Sequence, residues 1–177
     1  MSREILIAGF GGQGVLFSGK FLANIGLLNN QEVSWLPSYG PEMRGGTANC
    51  GVILSPDTIG CPVVSRPDVL IALNLPSLDK FENAVKPSGH IFTDSSMISK
   101  KVKRTDVIVH NIPAAKMAED NALSGLGSMI MAGGVISLLD GISDDLIESA
   151  MRKTVPKRKQ ALFDSNMKAV YIGQNAV

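Results

Sequence analysis

Short apolar runs alternate with longer amphipathic stretches along the chain, and this alternation sets the expected elements. Residues 5–8, Ile-Leu-Ile-Ala, form an apolar run ended by glycines, as in a strand buried on both faces. Residues 15–28 predict a helix in which Val15, Leu16, Leu22, Ile25 and Leu28 share one broad apolar side, with Lys20 and Asn24 toward water. Residues 33–36 predict a second strand, stopped by Pro37. Residues 47–54 and 59–64 flank Ser55-Pro56-Asp57-Thr58, the pattern of a hairpin with a four-residue turn.

A further buried strand is expected at residues 69–73. Pro76-Ser77 then opens a helix that turns Leu78, Phe81 and Val85 inward. Residues 90–93 and 107–109 predict strands, and residues 114–121 a short helix. Residues 129–139 are apolar almost all round, with Gly133-Gly134 in their middle. That combination suits a central helix whose backbone lies close to a neighbour, because each glycine costs about 1 kcal/mol relative to alanine in a helix. Ser143-Asp144-Asp145 caps a final amphipathic helix. Strands alternating with helices give an α/β fold, a three-layer Rossmann-like domain with a mostly parallel sheet and an inserted β-hairpin. Without a linker or an internal repeat, residues 1–177 are expected to form one domain.

The composition is globular, with 45% hydrophobic and 19% charged residues. A net charge of +1 gives no support to bulk binding of nucleic acid or of a membrane surface. The basic cluster Arg152, Lys153, Lys157, Arg158 and Lys159 reads as a solvated helix end. No apolar run is long enough to span a bilayer, and the first strand begins too early to leave room for a leader, so a cytoplasmic protein is expected. Cys50 and Cys61, with ten residues between them, match no zinc or iron–sulfur spacing and read as free thiols.

Gly9-Phe10-Gly11-Gly12-Gln13-Gly14 sits between the first strand and the first helix, where Val15 begins. Glycines permit the tight turn, and the free N–H groups at the helix start attract an anion. A dinucleotide site would also place an acid at the end of the second strand, but that strand ends Ser34-Trp35-Leu36-Pro37-Ser38. Three readings stay open: a structural turn, a nucleotide-dependent oxidoreductase, and a seat for a phosphate or carboxylate shared with another subunit. The segment after the second strand bears Ser38, Tyr39, Glu42 and Arg44 among glycines that include Gly45 and Gly46. Arg44 is the foremost candidate, because its fork pairs bidentately with carboxylate or phosphate. An Arg44–Glu42 surface pair and an interface contact are the plainer alternatives. His90 and His110 are expected to be structural, and no catalytic residue stands out.

Three segments resemble the gamma subunits of 2-oxoacid:ferredoxin oxidoreductases. These are residues 9–15, residues 35–50 (Trp-Leu-Pro-Ser-Tyr-Gly-Pro-Glu-Met-Arg-Gly-Gly-Thr-Ala-Asn-Cys) and residues 66–74 (Arg-Pro-Asp-Val-Leu-Ile-Ala-Leu-Asn). The resemblance implies a multi-subunit enzyme that decarboxylates a 2-oxoacid oxidatively, joins the acyl group to coenzyme A and reduces ferredoxin. It also implies that this chain is inactive alone. Thiamine diphosphate, magnesium and iron–sulfur clusters would then sit on alpha, beta and ferredoxin-like partner subunits, none on this chain, with coenzyme A as co-substrate. Residues 38–46 look most like the 2-oxoglutarate type, since pyruvate-type relatives tend toward a paired arginine and indolepyruvate-type relatives toward Ser-Gln before Arg-Gly-Gly. Gly9, Gly11, Gly12, Gln13, Gly14, Val15, Ser38, Tyr39, Glu42, Arg44, Gly45 and Gly46 are carried forward as ligand or interface candidates.

Overall fold

A computed structural model describes residues 2–38, 47–156 and 160–177 of the chain. The apolar run near the N-terminus forms β1 (Arg3–Phe10), and the amphipathic stretch after it forms α1 (Val15–Leu28). Three strands follow: β2 (Glu32–Ser38), β3 (Thr47–Ser55) and β4 (Val69–Ala72). Next come α2 (Leu75–Phe81), β5 (His90–Asp94), β6 (Ile108–Ile112) and α3 (Ala114–Asp120). The chain closes with α4 (Gly127–Ile136), α5 (Asp144–Thr154) and α6 (Gln160–Gln174).

The described strands make one six-stranded sheet in the order β2-β3-β1-β4-β5-β6. Only β3 runs against its neighbours, pairing antiparallel with both β1 and β2. The mostly parallel sheet matches the pattern, whereas the expected hairpin between residues 47–54 and 59–64 does not form. Both edges of β3 are already taken by β1 and β2, so residues 59–64 have no strand to pair with. Gly60 and Pro62 also weaken that stretch as a strand. It crosses the sheet as coil instead, and Val64 packs over Gly51, whose missing Cβ would lie 3.1 Å from Val64 Cγ2. Pro37 lies inside β2 rather than ending it. On an edge strand the absent N–H costs no ladder bond, and Pro37 pairs with Cys50.

Period-two alternation splits the sheet between two cores. Ile5, Ile7, Val69 and Ile71 face α1, α4, α5 and α6, while Leu6, Leu70 and Ala72 face α2 and the coil after β5. Phe21, Leu22 and Ile25 of α1 are fully buried, each stabilising the fold by about 1.5–3 kcal/mol relative to exposure. α5 starts as expected, with Ser143 Oγ accepting from the Leu146 N–H at 3.3 Å. It is not the last helix, because α6 follows beyond Pro156 and packs on α4. Of the basic cluster, Arg152 and Lys153 occupy the last turn of α5, and Lys157, Arg158 and Lys159 lie outside the described residues.

The two histidines form a structural pair on adjacent strands. His90 Nδ1 lies 3.0 Å from His110 Nε2, and His110 stacks on Phe92 with ring centroids 4.3 Å apart. Burial holds both below the usual value near 6.5, aided by Arg3 at His90 and by His90 at His110. Unfolded histidines take up protons near that value, whereas the folded pair does so only at lower pH. Stability from neutral packing is therefore complete above about pH 6.5 and falls as pH drops through the lowered folded values. Urea midpoints at pH 7.5 and 5 are expected to differ less for His110→Gln than for the parent; an identical difference would refute the pair's part in it.

Candidate functional site

Strand order sets where a site can form. α1 carries the chain from β1 toward β2, and α2 carries it from β4 toward β5 in the opposite direction along the sheet. With right-handed crossovers the two helices cover opposite faces, so the carboxyl ends of β1 and β4 diverge into a crevice. A cleft of about 580 Å³ opens there, with Gly12, Gln13, Asp94, Lys116, Glu119 and Ser128 among its lining.

The glycine turn is built around Gln13. Its Oε1 accepts from the Phe10 N–H at 2.6 Å and from Asn74 Nδ2 at 3.2 Å, and its Nε2 donates to Leu73 O at 3.3 Å. Asn74 is 3% exposed and caps α2, its Oδ1 accepting from the Ser77 N–H at 2.9 Å. Gln13 thus ties the ends of β1 and β4 to the start of α2. Gly9 leaves it room, since a Cβ there would lie 2.8 Å from Gln13 Oε1. Gly14 caps α1 in the left-handed region at φ 80°. Removing the Gln13 side chain strands a buried Asn74 and the Phe10 N–H, so Gln13→Ala is expected to cost about 2 kcal/mol in urea unfolding. A loss below about 0.5 kcal/mol would contradict the fastening role.

The sequence candidates divide by position. Gly12 and Gln13 line the cleft, Gly9 and Gly14 shape the turn, and Gly11 is an exposed position within it. Val15 is 3% exposed and belongs to the core, so its contribution is packing. Ser38 ends β2 opposite Asn49, and Thr47 begins β3 opposite Phe10. The segment between them therefore departs from and returns to the same sheet edge as the glycine turn. Tyr39, Glu42, Arg44, Gly45 and Gly46 lie outside the described residues.

Pattern reading missed the opposite wall. Asp94, 3% exposed at the end of β5, accepts from Ser96 Oγ at 2.5 Å, from the Ser96 N–H at 3.1 Å and from the Ala115 N–H at 2.9 Å. It joins the end of β5 to the start of α3. Lys116 pairs with Asp120 at 3.1 Å on the surface of α3. Ser128 sits in the first turn of α4, against Gly14. The available signal was positional: Asp94 follows an apolar strand, and Gly125 and Gly127 precede an apolar helix.

The cysteines do not fit an iron–sulfur cluster. Cys50 is buried between α1 and β2, where burial pushes its thiol up to about 12 against a smaller opposing contact from Trp35; Cys61 is exposed. Among the described residues, no group of three or more His, Cys, Asp or Glu side chains is placed to hold a metal ion. No described helix is long and apolar enough to cross a membrane.

A family model described as pyruvate ferredoxin/flavodoxin oxidoreductase matches residues 4–176. The ketoisovalerate oxidoreductase subunit VorA of Methanothermobacter thermautotrophicus is 38% identical over 171 residues, covering 96% of this chain and 35% of that protein. The chain thus spans about a third of the length of that relative. The 2-oxoglutarate synthase subunit KorC of Methanocaldococcus jannaschii is 34% identical over 160 residues, covering 89% of this chain and 86% of that one. Among solved structures, the gamma subunit of a keto/oxoacid ferredoxin oxidoreductase from Geobacter sulfurreducens superposes with a TM-score of 0.82 at 25% identity. That match covers 98% of this chain and 97% of the other.

Proposed function

Because the chain belongs to the pyruvate ferredoxin/flavodoxin oxidoreductase family, we propose that it serves as the gamma-type subunit of a 2-oxoacid:ferredoxin oxidoreductase. The assembled enzyme converts a 2-oxoacid and coenzyme A to acyl-CoA and CO2 and passes the electrons to ferredoxin. Alpha and beta subunits carry thiamine diphosphate with magnesium, which supplies the decarboxylation chemistry, and a ferredoxin-like subunit carries iron–sulfur clusters. The chain works in the cytoplasm.

The observation that carries the reading is the near full-length match to a gamma subunit, over 98% of one chain and 97% of the other. Such a chain does its work at a junction. The glycine turn and both flanks of residues 39–46 meet at one sheet edge, so a surface made there can be completed by another subunit. Arg44 supplies the guanidinium and the α1 start the helix-end amides for a coenzyme A phosphate brought to that junction. The core-facing Val15 and the fastened Gln13 hold the turn still, while Gly11 and Gly12 leave its outer side open.

For the substrate, the Ser38–Gly46 sequence favours 2-oxoglutarate. The 38% identity to a ketoisovalerate oxidoreductase subunit favours a branched-chain 2-oxoacid as the second reading. Steady-state assays of the purified complex with 2-oxoglutarate, 3-methyl-2-oxobutanoate and pyruvate rank the two. The highest kcat/KM is expected for 2-oxoglutarate. A lead for the branched-chain acid would overturn the substrate and leave the subunit role intact, whereas no coenzyme A-dependent turnover with any 2-oxoacid would overturn both.

A further inference from the structure

Backbone groups polarise a chain of two side-chain amides that runs from α2 to the glycine turn. The Ser77 N–H, 2.9 Å from Asn74 Oδ1, claims that oxygen, so Asn74 Nδ2 faces the other way and donates to Gln13 Oε1 at 3.2 Å. The Phe10 N–H claims the same Gln13 oxygen at 2.6 Å, which leaves Gln13 Nε2 to donate to Leu73 O at 3.3 Å. The Gln13 N–H in turn donates to Phe10 O at 3.2 Å, so residues 10–13 are closed by main chain and side chain together. Each amide therefore has one satisfied orientation. Flipping either one sets donor against donor and acceptor against acceptor.

The turn needs such a hold. Gln13 is the one side chain among residues 11–14, and Gly12 and Gly14 take φ of 94° and 80°, where glycine is intrinsically loose. Asn74 is 3% exposed and does not line the cleft, so it reaches a ligand only by way of Gln13.

We propose that Asn74 is a positioning residue for coenzyme A: through Gln13 it fixes the glycine turn, and with it the α1 amides that meet the phosphate. The role rests on that phosphate being seated at the α1 start. Capping α2 alone would be served by serine or aspartate. The position uses more than a cap. A serine hydroxyl sits one atom nearer the backbone than the Asn74 nitrogen, and an aspartate carboxylate has no proton to give Gln13.

Steady-state kinetics of the assembled enzyme carrying Asn74→Ser or Asn74→Asp, with subunit content measured by gel filtration, test the assignment. Both substitutions keep a cap on α2. Asn74→Ser is expected to raise the KM for coenzyme A about fivefold at every pH, the worth of one neutral hydrogen bond. Its kcat should stay within about twofold of the parent's, and its KM for the 2-oxoacid should not change. In Asn74→Asp the introduced carboxyl, while protonated, reproduces both bonds, its O–H donating to Gln13 Oε1 and its C=O accepting from the Ser77 N–H. Burial favours that neutral form, and the donor is lost as pH rises through the carboxyl's raised pKa. The ratio of its coenzyme A KM to the parent's is therefore expected to be near one at about pH 6 and to climb toward about tenfold at about pH 8.5.

A purely structural cap would lower the yield of complex without a pH-dependent KM. Failure of both variants to assemble, or a fall in kcat with the coenzyme A KM unchanged, would overturn the positioning role. Parent-like KM values in both variants, with a raised value in Arg44→Ala, would overturn it and leave the coenzyme A site standing. Parent-like values in all three would overturn both.

Discussion

Gly133→Ala is expected to destabilise the fold by about 3 kcal/mol, at the upper end of what overpacking one methyl group costs. In a domain of this size that is a fall of about 6–12 °C in melting temperature. The cause is the crossing of α4 and α6. A Cβ on Gly133 would lie 2.1 Å from Val170 O, and a Cβ on Gly173 would lie 1.8 Å from Ile130 O. Each helix therefore presses its glycine against the other's backbone, which has no rotamer with which to yield. Intrinsic helix propensity alone predicts the opposite sign, since alanine stabilises a helix interior by about 1 kcal/mol over glycine. The direction of the change thus decides between close crossing and a loose one. Gly173→Ala should behave like Gly133→Ala, and Gly60→Ala, with nothing within 4 Å of its added Cβ, should be near neutral. A melting temperature that stays level or rises in Gly133→Ala would refute the close crossing.

Arg44→Ala in the assembled enzyme is expected to raise the KM for coenzyme A about tenfold or to lower turnover by a similar factor. A charge-assisted hydrogen bond contributes about 1.5–3 kcal/mol, and about 1.4 kcal/mol corresponds to a factor of ten. Arg44→Lys keeps the charge but loses the planar fork, so its effect should fall between parent and alanine. Steady-state kinetics against coenzyme A concentration, with subunit content measured by gel filtration, separates binding from docking. If the loop serves only to dock a partner, Arg44→Ala weakens the complex while activity per assembled complex stays whole. Unchanged kinetics in an intact complex would remove Arg44 from the site.

Local pattern made the central elements legible. Glycine 14 and the Asn29-Asn30 pair bracket an amphipathic run, and α1 occupies that run from Val15 to Leu28. The Gly133-Gly134 pair in an apolar stretch pointed to a close helix crossing, and α4 meets α6 at Gly133. What local pattern could not carry was long-range pairing. Whether residues 47–54 pair with 59–64 or with β1 and β2 depends on which edges are free. That depends in turn on Arg3↔Leu54 and Glu32↔Ser55 pairings between residues far apart in the chain. The cleft divides in the same way. Gly12 and Gln13 stood out because a turn and an anion seat need glycines at fixed spacing. Asp94, Lys116 and Ser128 come from separate stretches joined only when β5, α3 and α4 meet at one edge, and no spacing rule connects them. The tail beyond β6 was read one helix short, since Pro156 marks a break rather than an end.

Reconstitution of the complex from its native partners, with and without this chain, tests the subunit assignment most directly. The quantity to measure is 2-oxoacid- and coenzyme A-dependent reduction of ferredoxin per thiamine-binding subunit. The gamma-type role predicts that activity is lost when the chain is omitted and returns when it is added back in stoichiometric amount. Full activity without the chain, or no association between it and the thiamine-binding subunits, would contradict that role.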